Sequence, residues 1–129
     1  SDNSNTGKRN WQLRTNTDGA VTAIAFHASG NIQLTTTETL STGVWKMVSF
    51  TSDGSNLKIY FDGVEKASVS FPYNILGNGS VGDFLLAGRK TSSVADTFDG
   101  KQGPTAVYDR ALSATELLQN YNALKNRFT

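Results

Sequence analysis

The chain has no cysteine. That excludes a disulfide framework and any thiolate metal site, although it does not place the protein inside a cell, since many extracellular β-domains also lack disulfides. It has one histidine, His27, so a site built from several imidazoles is excluded as well. Charge of one sign is missing: 12 basic residues stand against 11 acidic, for a formal net charge of +1. No long-range field would steer such a chain to nucleic acid or to an anionic membrane. The basic residues are also scattered, without the aromatic interleaving of a nucleic-acid surface. No apolar run approaches the roughly 20 residues of a membrane span. Ser1–Asn10 is polar throughout; it does not read as a signal peptide and is expected to be a flexible lead-in.

What remains is Ser, Thr, Asn and Gly, with helix formers sparse until the C-terminus. This is the balance of an all-β chain with many turns. At 129 residues it makes one domain, expected over residues 11–129, with enough length to bury a real core.

The organising stretch is Val44–Phe71. Val44–Thr51 is rich in β-branched and aromatic residues, and Leu57–Phe61 sets Leu57, Ile59 and Phe61 against Lys58 and Tyr60, so both read as strands. The cluster Ser52–Asn56 between them is turn chemistry, with side chains that bond their own backbone and a glycine free to take φ > 0. Asp62-Gly63 suits a type I′ hairpin, in which both central residues need positive φ. Val64–Phe71 then places Ala67, Val69 and Phe71 opposite Lys66, Ser68 and Ser70. Three such one-sided strands need a second layer.

Elsewhere the chain reads as strands at Trp11–Thr15, Ala20–Ala28 and Ile32–Thr35, with turns at Asn16–Gly19 and Ser29–Asn31. Thr36–Gly43 reads as polar and irregular. Pro72–Gly82 is long enough for a functional loop. A buried strand is expected at Asp83–Arg89, a polar loop at Lys90–Asp96, a tight feature at Phe98–Gly100 and a last strand at Pro104–Asp109, for about nine strands in all. The one helix is marked by the capping box Ser113-x-x-Glu116, a Leu112/Leu117 staple, an apolar stripe at Leu117, Tyr121, Leu124 and Phe128, and Lys125 and Arg127 in its last turn.

Several patterns occur in one order: Trp45-x-x-Val48-x-Phe50-Thr51, Leu57-x-Ile59-Tyr60-x-Asp62-Gly63, Leu86-x-Gly88-Arg89, Phe98-x-Gly100, and Val107-Tyr108-Asp109-Arg110-Ala111-Leu112-Ser113-x-x-Glu116. This order resembles the laminin G-like family of the concanavalin A-like lectin/glucanase superfamily, from about Trp11 to the end. The run Leu118–Phe128 is similar to tails of phage and other viral structural proteins. The resemblance implies an all-β fold: a two-sheet antiparallel β-sandwich, the concanavalin A-like jelly roll, with one C-terminal α-helix. It also implies binding of glycans or proteins. Family members begin with one or two strands before the position of Trp11, and these are expected to be lacking here. The expectation is therefore a fragment, a processed chain or a domain completed by a partner chain.

No enzymatic activity is expected. Retaining glycosidases need two carboxylates about 5–5.5 Å apart, which the superfamily's glucanases place on one strand as Glu-x-Asp-x-x-Glu, whereas Glu38, Glu65 and Glu116 are isolated. His27 reads as structural. No cofactor is required; Ca2+ is the one metal the family suggests, since a hard cation takes six to eight oxygens. Asp83, Asp96 and Asp99 could supply them, as could Asn16 and Asp18, but the Asp-Gly pairs are equally turn formers. Ligand contacts are expected from Tyr73 and Asn74 in the long loop, Trp11 with Arg14, and Arg89, while Trp45 is expected in the core. Two functions stay open. One is a non-catalytic module that recognises carbohydrate or a cell-surface partner, on a virion surface or otherwise extracellular. The other is a structural domain of a viral (phage) particle that contacts sister chains without glycan binding.

Overall fold

The computed structural model describes residues 10–75, 86, 89–90, 94–95 and 98–128. Within them the apolar alternation of the sequence becomes two three-stranded antiparallel sheets stacked face to face. The first, in spatial order, is β1 (Trp11–Thr15), β2 (Ala20–His27) and β3 (Gly30–Thr39). Its register sets Leu13 beside Ala23 and Leu34, and Trp11 beside Ala25 and Ile32. Side chains alternate along a strand, so these residues share the inner face, and Gln12, Arg14, Thr22 and Ile24 the outer one. The second sheet is β4 (Val48–Ser52), β5 (Asn56–Phe61) and β6 (Val64–Ser70). Leu57, Ile59 and Phe61 point inward from β5 and are fully buried against Val21, Ala23, Ala25 and Leu34. A Lys66–Glu38 ion pair at 2.6 Å ties β6 to β3 across the edge of the sandwich.

The turns follow their chemistry. In Asp62-Gly63 both residues take positive φ, 52° and 82°. Asp53 Oδ1 accepts the amides of Ser55 and Asn56. Gly19, at φ 87°, donates its amide to Asn16 O, and Asp18 Oδ1 accepts the Ala20 amide.

Several expectations need correction. First, β3 runs on to Thr39 through residues that read as irregular. The register shifts between Ala20 and Thr22, which leaves the Val21 amide without its ladder partner, and the buried Thr36 hydroxyl accepts it at 3.0 Å. A threonine-rich run looks like a loop, yet here its β-branched residues alternate in a strand. Second, β4 starts at Val48, because its partner β5 ends at Phe61. Opposite Met47 stands the turn residue Asp62, whose Oδ1 accepts the Met47 amide and whose own amide donates to Met47 O.

Third, Trp45 therefore lies outside the core: it is 42 % exposed, with its ring 4.5 Å from that of Phe128. Fourth, Pro104–Asp109 forms no strand and is exposed throughout. A strand needs a ladder partner, and among the described residues neither sheet extends to it. The loop expected at Lys90–Asp96 contains a short antiparallel pair, β7 (Arg89–Lys90) with β8 (Val94–Ala95). Most of the strand expected at Asp83–Arg89, the end of the Pro72–Gly82 loop, and residues 1–9 lie outside the described residues.

The helix α1 (Ala114–Leu124) begins as the capping box predicts: Ser113 Oγ accepts the Glu116 amide and Glu116 Oε1 accepts the Ser113 amide. Leu112 and Leu117 bury together against Tyr60, on the outer face of the second sheet. Lys125 and Arg127 sit just beyond α1, in a 3-10 turn (Lys125–Arg127). Arg110 grips the Glu116 carboxylate with both terminal guanidinium nitrogens, Nη1 at 2.9 Å. That grip, with the Ser113 amide, holds the Glu116 carboxyl down at about 2 from an ordinary 4.5.

A carboxyl whose folded pKa is lowered stabilises the fold fully above its unfolded value and loses that contribution as pH falls through the folded one. The cap is therefore expected to weaken between about pH 4.5 and pH 2. Carboxyl-detected NMR should place the Glu116 midpoint near 2 in the native chain and well above it in Arg110→Ala. An unchanged midpoint in that variant would remove Arg110 as the cause.

Candidate recognition site

Where β2 and β6 end, their side chains meet at one end of the sandwich. His27 closes β2 on the inner face, and the Ser29 amide donates to its Nδ1 at 3.3 Å, which leaves Nε2 to carry the proton of the neutral ring. On the other sheet, Phe71 follows β6, donates its amide to Ser55 O at 2.8 Å and is fully buried. Ile75 also packs on the core. The chain is thus pinned at Phe71 and Ile75, and the intervening Pro72, Tyr73 and Asn74 form an exposed tip.

That tip folds back over His27. The Tyr73 and His27 rings stack with centroids 4.0 Å apart and planes 6° from parallel. Phe71 meets both edge-on, at 5.9 Å from His27 and 5.5 Å from Tyr73, the offset geometry that aromatic quadrupoles favour. Tyr73 keeps 43 % of its surface exposed. One face is covered by His27, so the opposite face and the hydroxyl edge are what it offers, with the exposed Asn74 next in the chain. A rigid, half-exposed ring next to an amide can take the C–H-rich face of a sugar or an apolar side chain, and it orders little on binding.

The other expected contacts fall elsewhere. Trp11 is half-buried on the inner face, its ring 5.3 Å from that of Phe50. Arg14, three residues on, projects from the opposite face and is exposed; it stands beside Thr22 in the register. Thr22 is buried and shares its hydroxyl with Thr35 at 2.8 Å and with the Asn16 amide at 3.0 Å. Arg89 pairs with Ala95 in the short ladder. Asp83 and Asp96 lie outside the described residues, and Asp99 is exposed. Among the described residues no three His, Cys, Asp or Glu side chains gather where they could hold a metal ion. His27 reads from the sequence as structural, and its stacking under Tyr73 is the contact that sequence reasoning did not anticipate. Its local signal was only a lone imidazole before a turn.

With two stacked sheets, a capped C-terminal helix and a rim of loops, the architecture can be set beside known proteins. Residues 1–118 match a laminin G-type family model described as the concanavalin A-like lectin/glucanases superfamily, and the chain belongs to that superfamily. It is similar in structure to residues 221–444 of an S-layer domain-containing protein from Clostridium thermocellum. The TM-score is 0.51 and the identity 26%, over 86% of this chain and 55% of that one. The chain thus spans about half the length of that crystallised segment (55%). No curated protein sequence matches the chain. These relationships show the superfamily and its β-sandwich fold and do not single out phage or virus. No helix among the described residues is long and apolar enough to cross a membrane.

Proposed function

We propose that this is a non-catalytic recognition domain of an extracellular or cell-surface protein, binding carbohydrate or a surface partner through the rim of His27, Tyr73 and Asn74. The observation that carries the reading is the stacked His27–Tyr73 pair, which holds an exposed ring rigid at the end of the sandwich. The non-catalytic part is supported by the glutamates, since Glu38, Glu65 and Glu116 are each engaged by a cation: Lys66, Lys58 and Arg110. The surface setting is supported by the similarity to an S-layer domain-containing protein.

A glycan array, probed with and without Ca2+, tests it. Native protein is expected to bind a subset of glycans, and Tyr73→Ala to lose tenfold or more, about 1.4 kcal/mol, with little change in Tm because the ring is half-exposed. A blank array, or a variant that binds equally well, would sink the rim. A Ca2+-dependent rise in Tm would support Asp83, Asp96 and Asp99 as ligands.

A second reading is an assembly domain of a surface layer or viral particle that contacts sister chains. The S-layer similarity and the exposed Val107 and Tyr108 favour it. A blank array together with a stable oligomer in sedimentation is the result it expects.

A further inference from the structure

A groove crosses the outer face of the second sheet where the segment leading into α1 passes over it, away from the His27–Tyr73 rim. It holds about 350 Å³, and its floor and walls include Asp53, Lys58, Tyr60, Glu65, Leu112 and Ser113.

Tyr60 is the anomaly. It is only 4 % exposed, and its ring packs with Leu112 and Leu117. Its side chain lines the groove, yet its hydroxyl has no hydrogen-bond partner among the described residues. Buried polar groups are nearly always partnered, and one that is not calls for an explanation.

The groove around it is rich in acceptors and carries one negative charge too many. Asp53 Oδ1 accepts the amides of Asn56 and Ser55, and these bonds hold its carboxyl below the usual value. Among the described residues no cation lies within ion-pair distance of it. The other carboxylates are matched. Glu65 Oε2 lies 3.3 Å from Lys58 Nζ, and at the lip Arg110 holds Glu116. Asp53 is therefore the uncompensated charge, and an anion would be repelled from this floor. Asp53, Glu65 and Glu116 do not gather at one point as metal ligands would.

An extended organic cation meets these terms. A guanidinium brings one positive charge and five N–H donors in a planar fork, with no acceptor to be left unsatisfied. Ala111, Leu112 and Ala114 line the same groove and offer an apolar wall to an aliphatic stem. The volume lies at the small end of ligand pockets, about 300–1,000 Å³, which suits one long side chain.

We infer that this groove is a binding site for an arginine side chain of a partner polypeptide, with its guanidinium held by Asp53 and the Tyr60 hydroxyl. The site is separate from the rim and does not rest on the reading given for it.

The test is amide-detected NMR of the intact chain titrated with the acetylated, amidated tripeptide Gly-Arg-Gly. The Asp53, Lys58, Tyr60 and Glu65 signals are expected to move saturably. The same peptide with citrulline, which keeps the shape and loses the charge, should leave them still. Asp53→Asn retains the oxygen that accepts the turn amides, so it should fold normally while binding about tenfold more weakly. Tyr60→Phe keeps the ring and its packing; it should bind more weakly with an equal or higher Tm. Tyr73→Ala should bind the arginine peptide as the native chain does. No saturable shift with Gly-Arg-Gly, equal binding of the citrulline peptide, or full affinity in Asp53→Asn would overturn the site. Shifts confined to Arg110 and Glu116 would overturn it too, since they would mean exchange at the lip.

Discussion

Gly63→Ala is expected to destabilise the domain by about 3 kcal/mol, through overpacking added to a backbone cost of about 1–2 kcal/mol. At about 4 °C for each kcal/mol in a chain of this size, Tm should fall by more than 10 °C. Gly63 holds φ at 82°, and an added Cβ would come 2.7 Å from Leu118 Cα and 2.9 Å from its amide nitrogen. Those are backbone atoms of α1, so the contact is relieved only by lifting the helix from the sheet. Gly54 separates the two terms, since its φ is nearly the same, 86°, with nothing within 4 Å of the new Cβ. Gly54→Ala should therefore cost only about 1 kcal/mol. Chemical denaturation of both variants checks this, and equal losses would mean that helix docking adds nothing at Gly63.

The second large effect is expected at Phe71, which is fully buried in the sandwich core. Phe71→Ala should cost about 3–5 kcal/mol, the range for emptying a phenylalanine site. Phe71 is also the edge on which both His27 and Tyr73 rest, so stability and recognition are coupled there. Phe71→Leu refills most of the volume and should cost about 1–2 kcal/mol, yet it removes the edge-on aromatic contacts beneath the rim. If the proposed rim binds as described, Phe71→Leu should weaken glycan binding more than its stability loss explains. Normal affinity in a well-folded Phe71→Leu would show that Phe71 does not position the rim.

Much of the fold is legible in local chemistry. The alternation of Leu57, Ile59 and Phe61 announces β5, Asp62-Gly63 announces its hairpin, and Ser113 with Glu116 announces the start of α1. In each case the cause lies within a few residues: a period of two, a positive φ, a reciprocal side-chain bond. The resemblance carried by the run from Val107 to Glu116 agrees with the family to which the chain belongs. Two misreadings have a common origin. Thr36 looks like a loop residue until the bulge opposite it frees the Val21 amide. Trp45 looks like a core residue until β5 runs out of partners at Phe61.

Composition and periodicity alone thus decided that the chain would be all-β with a capped C-terminal helix, because those preferences act between neighbours along the backbone. They could not decide that His27 lies under Tyr73, 46 positions away, or that Leu118 presses on Gly63. They also could not reveal that Tyr60 is buried with its hydroxyl unpartnered among the described residues. Each of these depends on which strand ends and helix faces the sandwich brings together. That pairing is set by the packing of the two sheets, which no short stretch of sequence contains.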